Sequence, residues 1–444
     1  MAEESINIET FDCLPFNNIH ATADVLQQFI ESKTKNVFYF SPDFIRDDES
    51  PLAEYDYRSY QWKAGRFIGE AFFKHNNRNY KLTIKPRFGE QTLFRMLEKI
   101  FNIRITKSVS SQNKNEDWQH YIKKIIAFIW LQKLANANLH GLPKVQIKKE
   151  NKSYIIKGRV DIRRSAKPLY QSGQVVSINR EKEIDSTIAQ IIGTAYKVLK
   201  VDFPIQQSEI SDSAQDAINQ ICSAVFKTNY VSENDYKSIQ YKEIYLSWKP
   251  LVDFSWDIIK RKRNSLKQKE STKNGYGFFI DMAEVWEQYL RSILKKGLMP
   301  YGWHLQKEKE VAYKGYFYQR ELIPDLVFKK QNDIAVWDAK YKRMAGMYFD
   351  VDRADFFQIH TYLQHFIYSK SVKAGGLLYP ISGELNFKKS TSPYLLNDEG
   401  IKINFSIDGV ELNEVEKDIT EPVNIHQTES EKEFINRLLQ SINY

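Results

Sequence analysis

Asp325, Asp338 and Lys340 are the side chains of this chain best spaced to do chemistry together. Leu322-Ile323-Pro324-Asp325 and Trp337-Asp338-Ala339-Lys340 flank the turn-forming run Lys330-Gln331-Asn332-Asp333. Read as a hairpin centred between Gln331 and Asn332, the segment sets Asp325 directly across from Asp338. Strand side chains alternate faces, so Lys340 shares the face of Asp338. Like charges placed opposite each other destabilise a sheet. A divalent cation removes that repulsion, and a neighbouring ammonium can orient or activate water. The chemistry such a set suits is metal-assisted hydrolysis of a phosphodiester. The plain alternative is a solvated hairpin with a surface ion pair between Asp338 and Lys340, and so short a motif arises often by chance.

A site of this kind needs a covered scaffold. Ile334 and Val336 share the face of Asp338, while Ala335, Trp337 and Ala339 occupy the other. A strand apolar on both faces belongs in the middle of an α/β layer. Upstream, Met282, Val285, Trp286, Tyr289, Leu290 and Ile293 form one helical stripe, with Glu287 beside it. Downstream, Asp355, Gln358 and Tyr362 fall on one face of a second helix. Helix, hairpin, helix and then the strand Gly376-Leu377-Leu378-Tyr379 is the order of a PD-(D/E)XK nuclease core. In that order Glu287 takes the first acidic position, and Gln358 takes the polar helix position that follows the lysine.

The chain resembles the McrC family, the nuclease subunit of McrBC-type modified-DNA restriction systems. Leu82-Thr83-Ile84-Lys85-Pro86-Arg87 is similar to the family's N-terminal I-x-P-[KR] strand, and Gly158-Arg159-Val160-Asp161 to its G-R-[IV]-D segment. Met282 through Leu290 resembles its M-x-x-[LV]-[FW]-E-x-[FY]-[VL] helix. Pro324-Asp325, Asp338-Ala339-Lys340-Tyr341-Lys342 and Asp355-Phe356-Phe357-Gln358-Ile359 complete the nuclease signature. Each motif is weak alone; their order and spacing together are specific. A long lysine-rich middle region and an acidic C-terminal tail depart from the pattern.

At 444 residues the chain is long enough for two or three domains, on a prior of roughly 100–200 residues each. A formal net charge of +8 favours an acidic partner such as nucleic acid without requiring one. Cys13 and Cys222 are the only cysteines, and His360 and His365 lack a useful helical spacing, so no zinc site is expected. The acidic start Met1-Ala2-Glu3-Glu4-Ser5 is unlike a signal peptide, and no apolar run reaches the roughly 18–20 residues of a membrane span. A cytoplasmic protein with reduced thiols is expected. No G-x-x-x-x-G-K-[ST] phosphate loop is present, so any nucleotide hydrolysis belongs to another chain.

The expected class is a multidomain α+β protein. Residues 1–110 form a β-rich domain, with strands at Asn36–Phe40, Arg66–Gly69 and Tyr80–Ile84 and a helix from Thr92 to Phe101. Residues 111–270 form a mostly helical middle region with a hairpin of Lys144–Lys149 and Ser153–Val160. Helices are expected over Trp118–Leu142, Ile184–Val201 and Ser211–Lys227. Residues 271–400 form the α/β PD-(D/E)XK core. Residues 401–444 add an acidic strand and closing helix, with Phe405–Asp408 as strand, Glu431–Ile442 as helix, and the acids solvated. Arg159 and Asp161 read as an ion pair fixing a turn, or as a contact to partner or DNA. The run Lys260-Arg261-Lys262-Arg263 reads as a solvated helix face or as phosphate contact ahead of the core.

The leading expectation is a DNA endonuclease subunit. Asp325 and Asp338 would hold Mg²⁺ with the Ala339 carbonyl, and Glu287 would complete the shell directly or through water. Lys340 would orient or deprotonate the attacking water and offset phosphate charge. Gln358 would position water or phosphate, and Lys342 would contact the DNA backbone. The resemblance implies an McrB-like AAA+ GTPase hexamer as partner, engaged by the N-terminal half, with modified DNA as target and cleavage when two complexes meet. A non-catalytic adaptor that only activates the motor, and a stand-alone repair nuclease, are the other readings.

Overall fold

Ile8, Leu82 and Ile84 are fully buried with Phe67, Phe73, Leu26 and Phe29, and this apolar set organises the first elements of the chain. The computed structural model describes residues 6–31, 37–38, 50–101, 118–202, 212–225, 231–267, 276–306, 310–316, 319–342, 351–367, 371–381, 391–395, 402–412 and 429–443. Strand β1 (Ile6–Phe11) is followed by helix α1 (Ala23–Glu31) and strands β2 (Val37–Phe38), β3 (Ala53–Asp56), β4 (Gln61–Ala64), β5 (Phe67–His75) and β6 (Arg78–Lys85); helix α2 (Glu90–Phe101) ends the run. Of the expected strand Asn36–Phe40, only β2 lies within the described residues. The β5–β6 hairpin turns on Asn76 and Asn77, both left-handed at φ 46° and 61°. A two-residue turn with both central residues at positive φ matches the twist of its strands.

The second compact unit spans Ser111–Ser271. It holds α3 (Trp118–Ala137), β7 (Lys144–Ser153), β8 (Arg159–Val160), α4 (Ile162–Ser172), β9 (Val175–Ile184), α5 (Ser186–Asp202), α6 (Asp212–Ala224), the short α7 (Glu233–Lys237) and α8 (Lys249–Lys267). The expected hairpin of Lys144–Lys149 with Ser153–Val160 is not formed. Strand β7 runs unbroken to Ser153 and pairs antiparallel with β9 along its whole length; β8 adds two residues on the far side of β9. Strand β9 is mostly polar, without the apolar alternation that marks a strand facing a core. Gly158 is left-handed at φ +84°, and a β-carbon there would stand 2.5 Å from the Ile178 carbonyl oxygen. The Arg159–Asp161 ion pair is replaced by a helix cap, in which Arg164 N donates to Asp161 Oδ1 at 3.1 Å at the start of α4.

After this unit the chain returns. Strand β10 (Tyr276–Asp281) pairs antiparallel with β5 and parallel with β2, completing a sheet of order β1-β6-β5-β10-β2. A boundary drawn at residue 271 gives this strand to the C-terminal core; its hydrogen bonds give it to the N-terminal sheet. Residues 1–110 and 272–444 accordingly form one compact unit. Asp281 caps helix α9 (Met282–Leu298) by accepting from Ala283 N and is held by Arg66 at 2.9 Å. All six residues of the anticipated stripe on α9 are buried.

Strands β11 (His304–Gln306), β12 (Glu310–Lys314), β13 (Gln319–Leu322), β14 (Leu326–Lys330), β15 (Asp333–Ala339), β16 (Ser371–Ile381), β17 (Thr391–Leu395) and β18 (Lys402–Glu411) follow, with α10 (Arg353–Ile367) between β15 and β16 and α11 (Glu429–Asn443) last. Six of these strands form one mixed sheet of order β11-β14-β15-β16-β18-β17, while β12 and β13 make a separate ribbon. Ile334 and Val336 pack with Ile359, Leu363 and Phe366 of α10. On the other face, the Trp337 indole donates to Ser406 Oγ and the α9 residue Trp286 donates to the Leu378 carbonyl. Strand β15 is therefore buried on both sides, as its continuous apolar character implies. Two tail acids expected in water are buried. Glu431 accepts from Lys99 and Tyr289, both at 2.9 Å, joining α2, α9 and α11, and Asp408 takes a fork from Arg437. Buried carboxylates persist where donors of this kind meet them.

Candidate active site

The β14–β15 hairpin has the anticipated register. Leu326 faces Trp337, Val327 faces Val336 and Lys330 faces Asp333 across a turn at Gln331-Asn332. The residues just beyond the first pair are Pro324-Asp325 on one side and Asp338 on the other. Gln331 absorbs the tight turn in the left-handed region at φ 55°. Asp325 sits half-buried before β14, where its Oδ2 accepts from Ala339 N at 2.8 Å. Asp338 is buried at 1% exposure, and neither of its oxygens meets a hydrogen-bond donor in good geometry.

Lys340 follows β15 with its backbone N–H on the Leu378 carbonyl, so its side chain leaves on the face of Asp338. Its Nζ stands 2.5 Å from Asp338 Oδ2 and donates to Gln358 Oε1 at 2.8 Å. Gln358 is fixed in turn by donating to the Tyr362 hydroxyl at 2.9 Å, and that hydroxyl reaches the Ile323 carbonyl at 3.4 Å. The face of α10 that carries Asp355, Gln358 and Tyr362 therefore borders the end of the hairpin.

Charge is crowded here. Burial and the Glu287 charge push Asp325 up to about 7, against the pull of Lys340. Burial and the Asp325 charge push Asp338 well above the usual carboxylate range. Burial alone would lower the Lys340 pKa, but Asp338, Asp325 and Asp355 outweigh it, so the ammonium is held more firmly than usual. Glu287 is half-buried on α9 and raised by burial, with its Oε1 accepting from Arg291 Nε at 2.8 Å. Among the described residues no three His, Cys, Asp or Glu side chains already surround one point. The structure brings together Asp325, Asp338, Lys340 and Gln358, and it places Glu287 within electrostatic reach.

Lys342 is directed to α10, with its ammonium 2.8 Å from Asp355 and 3.4 Å from Asp352. Lys260 is exposed on α8 in the other compact unit, and the side chains of Arg261, Lys262 and Arg263 lie outside the described residues. The buried Asp355, which the sequence places on one helix face with Gln358 and Tyr362, belongs to the site's charge network, and so does Arg291, which the sequence reading does not single out. The i, i+4 spacing of Glu287 and Arg291 was a signal available for Arg291.

The site also has a backing. Tyr341, next to Lys340, is buried, and its ring lies 4.5 Å from the Arg87 guanidinium, which also covers Phe88 at 4.8 Å. Arg87 N donates to Asp12 Oδ1 at 2.6 Å. The ends of β1, β6 and β15 thus meet one residue from Lys340.

A family model described as McrBC 5-methylcytosine restriction system component matches residues 62–380, more than half of the chain. The chain belongs to that family. This McrBC component is similar to a solved structure described as a refined half-complex from a tetradecameric assembly of Thermococcus gammatolerans McrB AAA+ hexamers with bound McrC. The likeness has 13% identity and a TM-score of 0.50, and covers 98% of this chain and 100% of the other. At that identity it speaks for a shared fold. A second structure, the Thermococcus gammatolerans McrBC complex, aligns at 14% identity and a TM-score of 0.33 over 66% of this chain and 88% of that one. No curated protein matches the chain. The McrC resemblance drawn from its motifs is borne out, and no helix among the described residues is long and apolar enough to cross a membrane.

Proposed function

We infer that this McrBC component is a Mg²⁺-dependent DNA endonuclease subunit with a PD-(D/E)XK core, and that it cleaves when assembled with an McrB-like AAA+ GTPase. The observation that carries the reading is Asp338: a buried carboxylate whose oxygens meet no hydrogen-bond donor in good geometry, opposite a second carboxylate and ion-paired to a lysine. One ammonium does not balance two neighbouring carboxylates, and hard oxygen donors suit Mg²⁺. Asp325, Asp338 and the Ala339 carbonyl would hold the ion, with Glu287 joining directly or through water. When bound, the metal would polarise the phosphodiester and supply an acidified water.

The remaining work falls to side chains of this protein. Lys340 rests protonated, so it orients the attacking water and offsets charge gathering on the phosphate. Gln358 holds that ammonium in place, and Tyr362 holds Gln358. Asp355 neutralises Lys342 and steadies Lys340 from behind. The chain has no phosphate loop, so nucleotide turnover comes from the AAA+ partner, and modified DNA is the substrate proposed for the assembly.

The deciding experiment is cleavage by the complex reconstituted with its AAA+ partner. Asp338→Ala should abolish Mg²⁺-dependent cleavage while leaving motor binding intact; full cleavage by that variant would overturn the assignment. One observation favours a second reading, the non-catalytic adaptor: Glu287 is already engaged by Arg291, and among the described residues no three His, Cys, Asp or Glu side chains form a metal-holding group. An adaptor would stimulate the motor and bind no divalent cation.

A further inference from the structure

Glu287 is the acidic position of the proposed site that is paired with an arginine on its own helix. Its partner Arg291 lies one turn further along α9, and the two side chains are 17% and 21% exposed. An i, i+4 pair on a solvated helix face is weak and screened. This pair is different because its charges reach the metal-binding pair. Burial raises both Asp325 and Glu287 most; beside it, Glu287 raises and Arg291 slightly lowers Asp325, and Asp338 adds to the rise of Glu287. Arg291 therefore sits in the field of the acidic cluster from the α9 side, as Lys340 does from the α10 side.

The arrangement has a logic in the absence of metal. Three carboxylates crowded together repel, and a buried one without a partner is costly. Arg291 relieves one of the three. With Glu287 paired in this way, no three-ligand cluster is formed among the described residues. The guanidinium is one-fifth exposed, so it can leave for water without becoming a buried, unpaired charge.

We propose that Arg291 is the resident counter-ion of Glu287, and that a divalent cation entering between Asp325 and Asp338 displaces it, with Glu287 turning from the guanidinium to the metal. The inference rests on the nuclease reading and adds an exchange of partners to it. Metal affinity is then set partly by how tightly Arg291 holds Glu287.

The test is calorimetric titration of Mn²⁺ into the full-length chain at fixed pH and salt, with a melting curve for each variant. Arg291→Gln should tighten Mn²⁺ by about tenfold or more, the size of effect a neighbouring opposite charge has on a carboxylate. In a Glu287→Gln background the same change should alter affinity by less than about twofold, since no carboxylate remains to compete for. Arg291→Lys, which keeps the charge, should stay near the parent. Equal tightening in both backgrounds would make Arg291 a distant charge and overturn the exchange. So would a Glu287→Gln affinity equal to that of the parent. Binding that is lost in Asp338→Ala but indifferent to Glu287 removes the exchange and leaves the nuclease reading standing. No Mn²⁺ binding by the parent chain removes both.

Discussion

At the scale of single residues, Lys340 and Asp325 make opposite demands on protons. Lys340 is held protonated by the acids around it, so its removal should cost the chemical step and spare the metal. General acid–base contributions run to roughly 10²–10⁴-fold, so Lys340→Ala is expected to slow single-turnover cleavage by about that factor. Metal affinity should not fall, because a competing positive charge is gone; an intact fold that loses Mn²⁺ would contradict this role. Arginine keeps the charge but delivers a longer planar fork, so Lys340→Arg should rescue only in part. Asp325 keeps its proton up to about pH 7, and a metal entering below that pH must displace it. Mn²⁺ affinity should therefore climb as pH rises through neutrality, by up to about tenfold per pH unit for one displaced proton. Titration in buffers of different ionisation heat measures the released proton. The same shift acts in the other sense on folding. A carboxyl raised in the folded state favours the fold fully below its unfolded pKa, and that contribution is lost as pH rises through the folded value. The metal-free chain should lose stability from this group between about pH 4 and pH 7, and Asp325→Asn should flatten that part of the melting-temperature profile.

At the scale of elements, the hairpin that carries the site was legible because several signals agreed. Gln331-Asn332 sets the turn, the apolar run of β15 demands two covered faces, and side-chain alternation then fixes which acids meet. The stripe on α9 was equally plain. The β7–β9 pairing was hidden, since two polar strands separated by a helix leave no apolar period to follow. The backing of the site was hidden for another reason: Asp12, Arg87 and Tyr341 are far apart in sequence, and only folding joins them. That cluster makes its own prediction. Arg87 and Asp12 are 6% and 0% exposed, and breaking a buried pair from one side costs about 3–5 kcal/mol because the other charge is left stranded. Arg87→Met should lower stability in denaturant unfolding by about that much, and Arg87→Met with Asp12→Asn should recover most of it. If the double variant is as unstable as the single one, the pair is not what holds these strand ends together.

At the scale of the whole molecule, the proposed nuclease core stands in a sequence without a phosphate loop or a visible module for reading bases. Purified alone, the chain should cut DNA poorly, and adding the AAA+ partner with its nucleotide should switch cleavage on. Robust site-specific cleavage without any partner would favour the stand-alone nuclease. Length leads to an expectation of two or three domains in a row, whereas the chain divides into two compact units, one of them built from both ends of the sequence. A linear reading assigns β10 to the segment it begins, whereas its backbone hydrogen bonds lie with β5 and β2. Pairing across an insertion leaves no local trace in composition or period. Arg66 and Asp281, which tie the start of β5 to the end of β10, are 215 positions apart.

The separation of β5 from β10 has a consequence for biosynthesis. At roughly 5–20 residues per second, about 10–40 s of translation separate the emergence of β5 from that of its partner. Throughout that interval one edge of Phe67–His75 has no strand beside it, and Phe67, Ile68 and Ala71 on it are apolar. An unpaired apolar edge is a template for other chains. The nascent protein therefore passes through a window of vulnerability whose length is set by the inserted unit. Products truncated before Tyr276 should be found in the aggregated fraction, whatever the stability of the finished fold.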